Sequence, residues 1–286
     1  MFREVSGQWQ LEARLIASDP TPFANFGFDQ GVSISGDTIV VTTAGVETGE
    51  DVTTGGAAYV FTRRGTVWTQ TARITDPDDA DPAGFGNSVS IRGKTLVVGA
   101  AGADDGAGAA YVFRLHHDAW VKQARLTALD RAPSAGFGFS TAIDGDAIAI
   151  GGVNTTNDAG MATGATYVFE RDDDRWTQRA RLLAPGGRDG DGLGRRVVLG
   201  DGTLAAGSEG ETNPAGVATG AAHLYRKVNG TWTELATLFP SDGTRRGLYT
   251  CSMATDGRTL VVGNGFQRNG PIGPFSGEAY LYDLDD

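Results

Sequence analysis

Five tryptophans, Trp9, Trp68, Trp120, Trp176 and Trp232, stand 59, 52, 56 and 56 positions apart, and each opens a similar run: WQLEARL, WTQTARI, WVKQARL, WTQRARL and WTELATL. Three further signals follow at matching offsets. The first is a Gly-aromatic step at Gly27-Phe28, Gly84-Phe85 and Gly136-Phe137, with Gly192-Leu193 and Leu248-Tyr249 in the last two units. The second is an apolar run, as in Leu96-Val97-Val98, and the third ends each unit as AAYVF, AAYVF, ATYVF, AAHLY and EAYLY. Tyr59, Tyr111, Tyr167, His223 and Tyr280 fall in register there. Self-similarity at a fixed period of this length is the mark of a repeat architecture.

Each run reads as a strand. In the Trp run, the tryptophan, Ala124 and Leu126 and their equivalents alternate with polar residues such as Arg125, the period of a half-buried strand. The second run is apolar throughout, as in a strand covered on both faces. Ser35-Gly36-Asp37, Arg92-Gly93-Lys94, Asp144-Gly145-Asp146 and Asp201-Gly202 supply hairpin turns between strands. Gly accounts for 43 of 286 residues, about twice the usual ~7%, which suits many tight turns. No segment has helical period with caps at both ends. Four strands per unit, five times over, predict an all-β fold: a five-bladed β-propeller of four-stranded antiparallel blades.

The small-residue Gly-Phe strand (Gly31, Ser88, Ser140, Ser252) suits the crowded axis, and the half-polar Trp strand suits the rim. The chain starts on a Trp strand, so the N-terminal strand near 7–17 is expected to complete the last blade and close the ring. Residues 1–286 then make a single domain of five repeats, at about 18–75, 76–127, 128–183, 184–239, and 240–286 plus 1–17.

The formal charge of −11 argues against nucleic acid as a partner, because an acidic surface repels phosphate. No apolar run is long enough to insert in a membrane as a helix. Cys251 is the lone cysteine, so no intrachain disulfide forms. The N-terminus lacks the apolar stretch of a signal peptide.

The Gly-Phe step, the run Leu96 to Ala100 and the run Gly108 to Phe113 together resemble the FG-GAP repeat, which builds the propeller head of integrin α subunits and occurs in many bacterial secreted proteins. The bacterial versions are the nearer likeness. The resemblance implies a binding or adhesion module in an extracellular or cell-surface setting, although a chain with no signal peptide also fits the cytoplasm. Integrin heads have seven repeats and this chain has five. Calcium-binding members carry an acidic loop between the Gly-Phe and apolar strands, where this chain has tight hairpins, so no cofactor is expected.

Antiparallel strands send alternate loops to opposite ends of the ring. One end collects the long loops 42–56, 99–108, 151–164, 207–220 and 263–277, with 18–27, 75–84, 128–136, 184–192 and 240–248. Seventeen acidic residues against five arginines lie there. Variable loops on a rigid scaffold are the usual place for binding, so Asp104, Asp105, Glu209, Glu211, Phe266, Arg268 and Phe275 are the candidate contacts for a protein or glycan. Asp189-Gly190-Asp191-Gly192 resembles part of a calcium loop, but two carboxylates fall short of the roughly six to eight oxygens calcium needs. Enzymatic chemistry finds little support. The inner strands open with Asp29-Gln30-Gly31, Gly86-Asn87-Ser88, Gly138-Phe139-Ser140, Gly194-Arg195-Arg196 and Thr250-Cys251-Ser252. Only Asp29 is acidic, whereas a five-bladed glycosidase needs a carboxylate pair. The alternatives to a binding module are thus a structural subunit of a larger assembly and, less well supported, that glycosidase.

Overall fold

A computed structural model describes residues 1–20, 25–44, 46–48, 52–76, 78, 84–241, 249–265 and 277–284. The fold is the five-bladed propeller that the repeat predicts. Blade 1 comprises Val32–Ser35, Thr38–Thr43, Ala57–Arg64 and Val67–Thr75. Blade 2 comprises Phe85–Arg92, Thr95–Ala100, Ala109–His116 and Ala119–Leu126. Blade 3 comprises Phe137–Asp144, Ala147–Gly152, Ala165–Asp172 and Arg175–Leu182. Blade 4 comprises Arg196–Gly200, Thr203–Ser208, Ala221–Val228 and Thr231–Leu238. Blade 5 contributes Tyr249–Thr255, Thr259–Asn264 and Glu278–Asp283. Within every blade the strands pair antiparallel in sequence order. The Gly-aromatic strand lies innermost and, at the four joints from blade 1 to blade 5, contacts the inner strand of the next blade.

One buried side chain anchors each of blades 2 to 5 to the blade before it. Phe85, Phe137, Leu193 and Tyr249 are fully buried. Phe85 and Phe137 meet Tyr111 and Tyr167 edge-on at 5.6 and 5.3 Å, the geometry that aromatic quadrupoles prefer. Behind each ring sits the apolar side chain of the preceding blade, as Val97, Ala110 and Val112 sit behind Phe137. Burial of one such side chain contributes ~2–3 kcal/mol. In blade 1 the place of Phe85 is taken by Phe26, which stands 5.6 Å from Tyr59, while Phe28 is 72% exposed. The alignment of Gly27-Phe28 with Gly84-Phe85 is therefore not followed. The turn from Phe28 to Gly31 moves the aromatic two positions back.

The residue after the ring explains the second glycine of the motif. Gly138 adopts φ +93°, and a Cβ there would sit 2.2 Å from the Ala109 carbonyl oxygen of the preceding blade. Blade 5 has Thr250 at this position, with φ 75° and a buried hydroxyl that has no hydrogen-bond partner.

The Trp strand departs from simple alternation. Its ladder to the third strand shifts register at Val112/Phe113, and likewise at Val60/Phe61, Val168/Phe169 and Leu224/Tyr225. The extra residue of each bulge is Gln123 or its equivalent, and a bulge reverses which face later side chains take. Trp120 accordingly packs into the joint with blade 1, whereas Ala124 and Leu126 pack into the joint with blade 3. The shared parity of Trp120, Ala124 and Leu126 therefore spans both faces of the strand instead of one. The bulged side chain reaches sideways, and Gln123 accepts a hydrogen bond from the indole of Trp176 in the next blade (3.2 Å).

The N-terminal segment reproduces part of this pattern. Glu12 takes the place of Gln123 and accepts from the Trp68 indole (3.0 Å). Leu15 and Ala17 pack on Ile39, Tyr59 and Phe61 of blade 1, as Leu126 and Ala128 pack on Phe137 and Tyr167. Residues 12–18 thus make the side-chain contacts of an outer strand. The ladder differs from the expected closure, because Gln8–Leu11 pairs with Phe2–Val5 and not with Glu278–Asp283. The turn at Ser6-Gly7, with φ 52° and 78°, closes this local hairpin and occupies the edge that the last blade would have used. Val32, Ile34 and Leu281 are left 56, 51 and 72% exposed.

Candidate binding face at the long-loop end

At the long-loop end, blades 1 to 3 each carry the same cluster beneath their loops: the Tyr of the third strand, the Arg of the ARL run and an Asp from the loop before the inner strand. Arg73 pairs with Asp19 at 2.8 Å and lies over the Tyr59 ring. In blade 3 Arg181 pairs with Asp130 at 2.7 Å, and the Tyr167 hydroxyl donates to the same carboxylate at 3.2 Å. In blade 2 the Tyr111 hydroxyl donates to Asp76 at 3.4 Å and Arg125 pairs with Asp78 at 3.5 Å, both from the loop before the inner strand, while Arg125 also bonds the Tyr111 hydroxyl and pairs with Asp104 from the loop after the second strand. Burial pushes the Tyr111 hydroxyl up to about 12. The Arg in these clusters holds a loop carboxylate over a buried phenol.

Blade 4 builds the cluster from other residues. The Tyr is His223 and the Arg is Thr237. His223 is 1% exposed, with Nδ1 2.7 Å from Glu234 and Nε2 2.6 Å from Glu211. Burial pulls the imidazole down, but the two carboxylates overcome it and raise His223 to about 9. The cation that three blades take from the fourth strand comes here from the third.

The sequence candidates fall into different settings. Asp104 is engaged by Arg125 and Arg131, and it holds its own loop. Asp105 is exposed at φ 59° on the same loop. Glu211 is taken up by His223. Asp189 accepts from the Ala162 backbone amide (2.9 Å), and buried Asp191 accepts from the Arg188 amide (2.6 Å), so both serve loop backbone. Among the described residues, no group of three or more His, Cys, Asp or Glu is placed to hold a metal ion. Phe266, Arg268 and Phe275 lie outside the described residues. The loops of blades 3 and 4 prove to be near copies, with Asn157 and Asn213 each accepting from two backbone amides of their own turn.

The axial mouth is where the blades differ most. Gln30, Asn87, Phe139, Arg195 and Cys251 occupy equivalent positions on the five inner strands. The next positions hold Ser88 and Ser140, whose hydroxyls donate to Gly138 and Gly194 of the following blade (3.0 and 2.6 Å). Blade 4 has Arg196 there. Its Nε donates to the Cys251 carbonyl (2.8 Å), and its guanidinium pairs with Asp29 of blade 1. Arg195 pairs with Glu209 at 2.6 Å. Gln30 donates across the ring to the carbonyls of Phe139 and Arg195 (3.1 and 3.3 Å). Burial raises the Glu209 carboxyl above its ordinary value against the pull of Arg195 and Arg196. Below the mouth, a cavity of about 250 Å³ is lined from all five inner strands. The mouth thus holds two carboxylates, and Glu209 was invisible to a reading of the inner strands because it arrives from the loop after the second strand.

Equivalent aromatic-Tyr contacts, inter-blade hydroxyl clamps and bulges in successive blades define a repeat propeller of the Gly-aromatic type. The FG-GAP repeat profile matches residues 9–61, 68–113, 120–169 and 232–282. The chain belongs to the FG-GAP repeat family. No curated protein matches the chain. The unmatched stretch contains Leu193, Arg195, Arg196, Glu209, Glu211 and His223.

Proposed function

We propose that this chain is a non-catalytic binding module whose long-loop end receives a protein or glycan partner. One observation carries the reading: five equivalent axial positions, which the scaffold could fill alike, hold Gln30, Asn87, Phe139, Arg195 and Cys251. Positions that the core leaves unconstrained are where a specific surface can be written. An extracellular or cell-surface setting goes with this reading.

Mapping a captured partner by hydrogen exchange tests it. Protection is expected at 101–108 and 207–212. Protection confined to the hairpin end, at Arg64, Lys94 and Arg258, overturns the assignment. Asp105→Asn is the suitable loop variant, since Asn tolerates its φ and Asp105 forms no ion pair among the described residues. Asp104 would be misleading, because its removal also strands Arg125 and Arg131.

A glycosidase reading draws on the raised Glu209 carboxyl as acid and Asp29 as its partner. It is weaker, because Asp29 lines the axial cavity and Glu209 does not. Turnover of aryl glycosides that is lost in Glu209→Gln would replace the binding reading.

A further inference from the structure

We propose that the axial cavity is a binding site for one neutral pyranose ring. The proposal rests on the long-loop end being the working face and names its ligand. Charge balance comes first. The charged side chain entering the cavity from blade 4, Arg196, is matched by Asp29. A net-charged ligand would leave an uncompensated charge in a partly enclosed space, which is costly, so the site favours a neutral one.

Hydrogen-bonding capacity comes second. Asp29 Oδ2 and the Gln30 side-chain oxygen have no hydrogen-bond partner among the described residues, and both residues line the cavity. Thr141 also lines it. Thr141 is 7% exposed, and its Oγ1 is buried without a partner. Its equivalents in the other inner strands are Val32, Val89, Val197 and Met253, so the hydroxyl is the one polar member of an otherwise apolar ring. The hydroxyl is turned away from water as it stands; rotation about χ1 presents it to the cavity, where a bound polar group recovers the free energy that a buried, unpaired hydroxyl costs.

Shape comes third. Acceptors and a guanidinium at the mouth, above largely aliphatic walls that also carry Thr141 and Ser252, fit a ligand with hydroxyl groups on its edge and C–H groups on its face. A volume near 250 Å³ lies just under the ~300 Å³ at which pockets for drug-sized ligands begin, so it takes a single ring and not a chain. The ring can be a free sugar or the terminal unit of a glycan.

Cys251 lines the cavity and is the lone cysteine, so it reports occupancy. The rate of its reaction with methyl methanethiosulfonate is measured with galactose, mannose, glucose or fucose, with each methyl glycoside, and with sialic acid as the charged control. At least one neutral sugar should slow the reaction at millimolar concentration, and sialic acid should not. Slowing by the methyl glycoside as well assigns the site to a glycan terminus; slowing by the reducing sugar alone assigns it to a free sugar. Thr141→Val keeps shape and removes the hydroxyl. It should weaken binding about three- to tenfold by saturation-transfer NMR and leave the melting temperature unchanged or higher. Lys94→Gln, at an exposed side chain of the hairpin end, should leave sugar binding unchanged. If no neutral sugar protects Cys251, or if binding is indifferent to Thr141→Val, the axial site is wrong. Should partner capture still fail in Asp105→Asn under those conditions, the long-loop face stands without it.

Discussion

Arg196 of blade 4, largely withdrawn from solvent, meets Asp29 of blade 1 at the exposed mouth across the propeller axis, 167 positions apart in the chain. No other ion pair among those described joins blades so distant in sequence. Asp29→Asn and Arg196→Ser, the latter restoring the residue found in blades 2, 3 and 5, should each lower stability. A double-mutant cycle should return a coupling of ~1 kcal/mol. Additive effects in urea unfolding would show that the pair does not form in solution.

The His223 cluster predicts an alkaline loss of stability. Its folded value of about 9 lies above the ordinary 6.5, so the protonated imidazole is bound more tightly in the folded state. The stabilisation is fully present below about pH 6.5 and is lost as pH rises through about 9, at roughly 1.4 kcal/mol per unit of difference. The charged groups facing the ring are Glu211, Glu234 and Asp191. Thermal melts from pH 6 to 10 should slope downward in the native chain and flatten in His223→Gln. An equal slope in both would place the titration elsewhere.

Thr250 holds a conformation that three other blades assign to glycine. A β-branched residue at positive φ costs ~1–3 kcal/mol. Thr250→Gly should therefore raise stability by ~1 kcal/mol, and it also removes an unpartnered hydroxyl. Gly138→Ala, whose Cβ would collide with the Ala109 carbonyl, should lower stability by more than ~2 kcal/mol. Denaturant midpoints for the two variants must move in opposite directions.

Deletion of residues 1–17 uncovers Ile39, Tyr59 and Phe61. The melting temperature should fall, and amide exchange should quicken first at 38–43 and 57–64, the strands that lose their cover. A truncated chain that melts like the full one would make the N-terminal contacts incidental.

Calcium is predicted to be dispensable. The hairpins at 36–37, 93–94 and 145–146 are too short to wrap a cation with enough oxygens. Excess chelator should leave the melting temperature where it was, and a large drop would reveal a site in the acidic loops.

Much of the scaffold was legible because each blade repeats one apolar code, and period two with Gly-rich turns translates directly into antiparallel strands. Parity failed at Gln123 because a one-residue bulge has no compositional signature and reverses every face beyond it. Phe28 misled for a related reason: Phe26-Gly27-Phe28 offers two aromatics for one pocket, and the turn chooses between them. The axial mouth was half legible. Arg195 and Arg196 stood out against Asn87-Ser88 and Phe139-Ser140, but their partners Glu209 and Asp29 come from other strands and loops, and pairing between blades is fixed only by ring geometry.

The sequence unit and the spatial blade are out of phase. Three of the four FG-GAP matches run from the outer strand of one blade through the third strand of the next, the match from residue 9 begins in the N-terminal hairpin, and the ends fall in strands beside the short turns of the hairpin side. A genetic exchange at those borders would carry the outer strand of one blade together with the inner strand that packs on it, as Leu126 and Ala128 travel with Phe137, and would leave the Ser88–Gly138 clamp and the contacts of Val97, Ala110 and Val112 to form anew between units. Blade number can thus change by recombination when each incoming unit meets the same apolar residues in its neighbour, and the near-interchangeable runs of the five units meet that condition.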